Sequence, residues 1–130
     1  MIVVDASAMV ELLLDTEVGR RVDERVLGAA ARHAPHLLDI EVTQVMRRFV
    51  LARQVSEVRA REAIDDLVSF PIVRHGHASL LERVFDLRAN LTAYDAAYLA
   101  LAEVLEATLI TCDKALAKAP GGRARVEVVA

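Results

Sequence analysis

Apolar residues fall along this chain in two alternating patterns: short unbroken runs, and longer stretches in which they recur every three or four positions. The unbroken runs at 1–5, 108–112 and 126–129 read as strands of a parallel sheet buried on both faces. Two weaker runs, 36–38 after Pro35 and 71–73, predict two more strands. The periodic stretches predict helices over 8–14, 17–32, 40–53, 57–69, 78–87, 92–106 and 114–118, with Ser7, Ser56 and Thr92 placed as caps of three of them. The stretch 108–112 is the richest in β-branched residues and is the expected central strand. Strands alternating with helices predict an α/β fold with a parallel sheet and right-handed crossovers.

Composition narrows this picture without changing it. The 130 residues suit one domain, 1–130, and no linker, repeat or low-complexity segment divides them. With 55% hydrophobic and only 4% aromatic residues, the core must be built from Ala, Val, Leu and Ile, as in a sheet covered by helices on both faces. The most apolar stretch, 96–102, stops at Glu103, far short of the roughly 18 residues a membrane span needs. The lone Cys112 cannot form an internal disulfide and the opening residues lack the pattern of a signal peptide, so a cytoplasmic location is expected. A net charge of −3 means that binding to nucleic acid would rest on a local basic patch or on metal.

Candidate chemistry lies in four acids. Asp5, Glu41, Asp95 and Asp113 each fall where a predicted strand gives way to a helix or just inside a helix start. In an open parallel sheet, ligands bind beyond the carboxyl ends of the strands, where the strand order reverses. Each acid alone also fits a helix cap, and Thr92 with Asp95 fits a capping box. Four together would repel one another strongly unless compensated, and hard oxygen ligands suit Mg²⁺ or Mn²⁺. A nuclease-type metal site is the sharper reading.

The blocks Val3-Val4-Asp5-Ala6-Ser7-Ala8, Glu41 opening the third helix, Leu91-Thr92-Ala93-Tyr94-Asp95-Ala96-Ala97-Tyr98 and Leu109-Ile110-Thr111-Cys112-Asp113-Lys114-Ala115-Leu116 resemble the four acidic blocks of the PIN domain. More narrowly, they resemble the VapC ribonuclease toxins of bacterial toxin–antitoxin pairs. The resemblance implies a three-layer α/β/α sandwich and an Mg²⁺- or Mn²⁺-dependent endoribonuclease, with RNA as substrate and a cognate antitoxin protein as partner. It carries Asp5, Glu41, Asp95 and Asp113 over as the catalytic centre, with Asp5, Asp95 and Asp113 on the metal. Ser7 and Thr111 match small hydroxyl residues beside that centre, and would bond a carboxylate or a water there. A further acid that some relatives carry after the fourth is missing, since 114–118 contains none.

Lesser signals complete the reading. Cys112 and the His75–His77 pair read as structural. Among the basic residues, Lys114 is the best candidate for a phosphate contact because it adjoins the fourth acid, whereas most of Arg47, Arg48, Arg53, Arg59 and Arg61 read as a solvated face. Tyr94 and Tyr98 are expected to pack or to hydrogen-bond. So apolar a chain predicts a homodimer, and the resemblance to toxins that pair there points to the 92–106 helix and the segment before it as its interface. Apolar residues from Met9 to Val18 predict a groove for an inhibitor helix, with a basic residue of that partner entering the acidic centre. Two rival functions stand beside the nuclease. One is a non-catalytic interaction domain whose acids are caps. The other is an aspartyl-phosphate phosphatase, set back because Ser7 holds the place of its second aspartate.

Overall fold

The computed structural model describes residues 1–130. Five strands, β1 (Ile2–Val4), β2 (Arg32–Pro35), β3 (Val73–His75), β4 (Thr108–Thr111) and β5 (Val126–Val128), form one sheet in the order β3-β2-β1-β4-β5. Every pairing is parallel. Seven helices connect them: α1 (Ala6–Leu13), α2 (Glu17–Leu27), α3 (Leu37–Leu51), α4 (Glu57–Ser69), α5 (Leu81–Asp86), α6 (Ala93–Leu105) and α7 (Lys114–Lys118). The helices α1 to α4 pack among themselves, whereas α6 lies on β1, β2 and β4 with α5 against it, giving the expected three layers. β1 takes the centre and β4 stands beside it, so the expectation of a central 108–112 strand is off by one place.

The chain runs outward from β1 through β2 to β3, then crosses back to β4 on the far side of β1. The strand order therefore reverses between β1 and β4, and the crevice beyond their carboxyl ends is where a ligand belongs. The core is aliphatic, with Val3, Val4, Leu109 and Ile110 of the two inner strands almost wholly buried. In α6 every residue from Ala96 to Ala102 is buried, because this helix lies across three strands.

The structure corrects several element boundaries. β2 precedes the expected strand, and α3 starts at Leu37, inside it. Pro35 forces the residue before it to be extended, so the strand lies on its amino side. Leu38 then joins Val42 and Met46 in a buried helical stripe. β3 begins where the 71–73 run was expected to end, since pairing with β2 starts only at Val73. α2 stops at Leu27 rather than 32, with the Arg32 guanidinium donating to the carbonyls of Val26 and Leu27 at its end. Residues 78–80 form a separate 3₁₀ turn before α5.

Two expected surfaces change as well. Met9, Val10 and Leu13 are core residues, so α1 offers no broad apolar groove to a partner helix. The middle of α6 is equally unavailable for pairing with a second copy. In the segment before it, Leu81 and Phe85 of α5 are the exposed apolar residues.

Candidate active site

Asp5 leaves the end of β1 and is only 4% exposed. Its carboxylate is fixed from three directions. Oδ1 accepts from the Ala8 amide (3.0 Å) and the Ser7 hydroxyl (2.8 Å), and Oδ2 accepts from the Thr111 hydroxyl (2.6 Å). Asp5, not Ser7, caps α1, and Ser7 lies inside the first turn. Ser7 Oγ also accepts from the Cys112 amide at 3.0 Å, and Thr111 Oγ1 accepts from the Asp113 amide at 2.9 Å. The two hydroxyls thus fasten the end of β1 to the end of β4. Asp113 caps α7 by accepting from the Ala115 amide at 2.9 Å.

Glu41 does not open its helix. It sits in the second turn of α3, where a carboxylate does little for the helix dipole. The dipole position belongs to Asp39, which is held by Arg74 at 2.9 and 3.0 Å. Glu41 instead accepts from the hydroxyl of Tyr98 at 2.5 Å. Tyr98 is buried among the apolar residues of α6, where an unpartnered hydroxyl would be costly. Sequence reasoning left Tyr98 without a specific partner, although a lone phenol in so apolar a helix signals that one exists. Asp95 forms half of the expected capping box: its amide donates to Thr92 Oγ1 at 3.2 Å, but its carboxylate returns no bond to the Thr92 amide. Asp5 and Asp113 are therefore helix caps and Asp95 is a first-turn acid of α6, while Glu41 serves no helix end.

Three of the four acids, Asp5, Glu41 and Asp95, are raised above their ordinary pKa, chiefly by burial. Burial pushes the Asp5 carboxyl above its ordinary pKa, with Asp95 adding to the shift and the Thr111, Ala8 and Ser7 bonds opposing it. Burial likewise raises Glu41, against the Tyr98 bond and with help from Asp95 and Asp5. Asp95 is raised by burial and then by Asp113. The seven ion pairs of the protein include none of these four acids. Such an uncompensated set of hard oxygens fits a divalent cation. No three side chains of His, Cys, Asp or Glu close on one point, so the fit is to an ion held by one or two carboxylates and completed by water and phosphate, not to a closed cage.

This has a measurable consequence. A carboxyl raised on folding contributes stability that is fully present below its unfolded pKa, 3.8 for Asp95, and is lost as pH rises through the folded value. Removing that charge removes the loss. Metal-free Asp95→Asn is therefore expected to melt a few degrees above the wild type at neutral pH, with the gap closing as the pH approaches about 4. Thermal melts of both proteins across this range in chelator check it, and a gap that does not change with pH would refute the half-buried charge of Asp95 as its cause.

The remaining candidates sort cleanly. Lys114 is exposed and free of ion pairs at the start of α7. Burial, with the charges of Asp5 and Glu11, pushes the Cys112 thiol up to about 11, which makes it inert as a nucleophile. His75 bonds His33 at 2.8 Å between β3 and β2, a structural role. Arg59 donates to the Leu13 carbonyl and Arg61 pairs with Glu57, leaving Arg47, Arg48 and Arg53 unpaired.

Comparison with known proteins agrees with this architecture. The PIN domain family matches residues 2–122. Ribonuclease VapC12 of Mycobacterium tuberculosis is 40% identical over 130 residues, covering the whole of both chains. Ribonuclease VapC1 of the same organism is 41% identical over 128 residues, 98% of this chain and 96% of its own. Among solved structures, VapBC2 from Rickettsia felis, bound to a DNA fragment from its promoter, superposes with a TM-score of 0.72 over the full length of both chains at 13% identity, a likeness of fold. The chain belongs to the PIN domain family and, within it, to the VapC ribonucleases.

Proposed function

We propose that this protein is a divalent-metal-dependent endoribonuclease acting as the toxin of a toxin–antitoxin pair. The observation that carries the metal reading is the set of four acids, unpaired with any cation, gathered near the point where the sheet order reverses. One or two of Asp5, Asp95 and Asp113 would hold the cation, Mg²⁺ or Mn²⁺, with water and phosphate completing its shell. When bound it supplies Lewis acidity at the scissile phosphodiester and lowers the pKa of the attacking water.

The chain's own residues do the rest. The hydroxyls of Ser7 and Thr111 lock the Asp5 carboxylate in one orientation, so no rotamer freedom is lost when the site is occupied. Glu41 is half-buried, raised in pKa and steered by Tyr98, which suits a base that orients or deprotonates the water. Lys114 stands beside Asp113 as a phosphate contact. The capping alternative accounts for Asp5, Asp113 and the first-turn Asp95 and leaves Glu41 only as the acceptor for Tyr98, but it gives no reason for four acids without a basic partner to act on one another.

Partners follow from the same reading. A cognate antitoxin silences the site by placing a basic side chain among the acids, where it pairs with carboxylates and excludes metal. A homodimer forms through the exposed Leu81 and Phe85 of α5, and light scattering at micromolar concentration checks this, a monomer refuting it. As for membranes, no helix is long and apolar enough to cross one. Incubating the purified protein with total cellular RNA tests the main proposal. Cleavage is expected with Mg²⁺ or Mn²⁺ and is expected to stop with chelator, and cutting that persists in chelator would rule out the metal mechanism.

A further inference from the structure

Tyr94 departs from the expectation that both tyrosines pack or bond. The residue is 61% exposed and stands immediately before Asp95. Its hydroxyl has no hydrogen-bond partner, whereas Tyr98, four positions later, is buried and bonded. Because α6 buries everything from Ala96 to Ala102, only its first turn is presented outward beside the acids.

Facing Tyr94 is a stripe of α3. Leu37, Ile40, Glu41, Gln44 and Arg48 recur at helical spacing and, with Tyr94, line a cleft of about 320 Å³. Glu41 belongs to this cleft and to the acidic centre, so the two are continuous. Ile40 is 70% exposed and adds apolar surface to the wall of the cleft. Gln44 and Arg48 are exposed and engaged by no side-chain hydrogen bond or ion pair, unlike Arg59, Arg61, Arg74 and Arg83. Seven residues of helix separate Glu41 from Arg48, roughly 10 Å along the axis. The guanidinium is therefore set back from the acids and does not neutralise them.

We infer that the cleft between α3 and the first turn of α6 is a subsite for one unpaired base of single-stranded RNA next to the scissile phosphate, with Tyr94 as its stacking platform. This deepens the ribonuclease reading and rests on it. An aromatic face holds any base by stacking, which is why such platforms recur in single-strand binding. The Gln44 amide can both donate to and accept from a base edge, and only an unpaired base presents that edge. Arg48 reaches a neighbouring phosphate, and a cation at the outer end of the cleft favours a polyanion over a basic inhibitor segment. Tyr94 is thus a binding platform that accepts any base, Gln44 is the specificity-determining residue, and Arg48 fixes the path of the strand.

The test separates binding from turnover. In an Asp113→Asn background, where Asn preserves the cap of α7, affinity for a fluorescein-labelled, mixed-sequence single-stranded oligoribonucleotide is measured by anisotropy. Tyr94→Ala is expected to weaken binding between about fivefold and 150-fold, the range for loss of one stacked base. Tyr94→Phe, which keeps the ring, is expected to stay within about twofold of the parent. Circular dichroism of each variant confirms the fold. Unchanged affinity for Tyr94→Ala overturns the inference, as does a Phe variant as weak as the Ala one. A Tyr94→Ala protein that binds RNA normally but no longer holds its antitoxin would assign the cleft to the protein partner and also overturns it. Failure of the wild type to cut RNA in Mg²⁺ is a separate result that strikes the ribonuclease reading itself.

Discussion

Asp5→Asn is expected to lower RNA cleavage by at least about 10²-fold while the protein stays folded. The substitution keeps size and one oxygen, and Asn caps a helix as well as Asp, so the Ala8 amide and the Ser7 hydroxyl keep their acceptor. What changes is Oδ2, which becomes an amide nitrogen facing the Thr111 hydroxyl. The Thr111 hydroxyl must then accept where it donated, a change that costs at most about 1 kcal/mol and is offset by relief of a buried charge that the fold disfavours. Stability should therefore move little in either direction, and activity should fall because the variant lacks a charge the cation needs. Rates of RNA cleavage in Mg²⁺, measured beside a thermal melt, decide the matter. Wild-type cleavage by a folded Asp5→Asn protein would end the assignment, since a mere cap would not notice the change.

The largest loss of stability is expected from Gly19→Ala. In an ordinary helix this exchange stabilises, because glycine is about 1 kcal/mol worse than alanine. At Gly19 a Cβ would lie 1.9 Å from the carbonyl oxygen of Glu11 and 2.4 Å from its carbon. Both atoms are backbone and cannot swing aside, so α1 and α2 must separate. Overpacking of this kind costs roughly 1–3 kcal/mol, a large share of the roughly 5–15 kcal/mol available to a folded domain. Gly28, at the end of α2, is the control. Its backbone is helical and the nearest atom to a Cβ is 3.4 Å away, so Gly28→Ala should be neutral or slightly stabilising. Urea denaturation of the two variants checks the contrast, and equal midpoints would show that α1 and α2 give way easily.

The contrast at Gly19 also shows what a single sequence can reveal. Strand and helix identity, layer order and the parallel sheet were legible because each rests on local periodicity. Asp5 and Asp113 were legible as candidates because they follow the two most apolar strands, whereas Glu41 and Asp95 lie inside helices and were picked out by their sequence blocks. Boundaries set by partners at a distance were not. β2 and β3 shifted because pairing, not propensity, fixes where a short strand begins, and Glu41 moved into the second turn of α3 with that shift. The bond from Tyr98 to Glu41 joins residues 57 apart, and nothing local marks it. The exposure of Tyr94 was hidden for a similar reason: only the packing of α6 against three strands tells which of two tyrosines faces outward.

The insertion of β4 beside β1 also governs when activity can begin. Synthesis proceeds at roughly 5–20 residues per second, so a growing chain carries Asp5 for seconds before Asp113 exists. Until β4 emerges, Thr111 cannot clasp Asp5, and the crevice between the two strands has only one wall. A chain that stalls or breaks before this strand is chemically silent, however well its first four helices pack. Under the proposed ribonuclease reading, only finished copies can act on RNA.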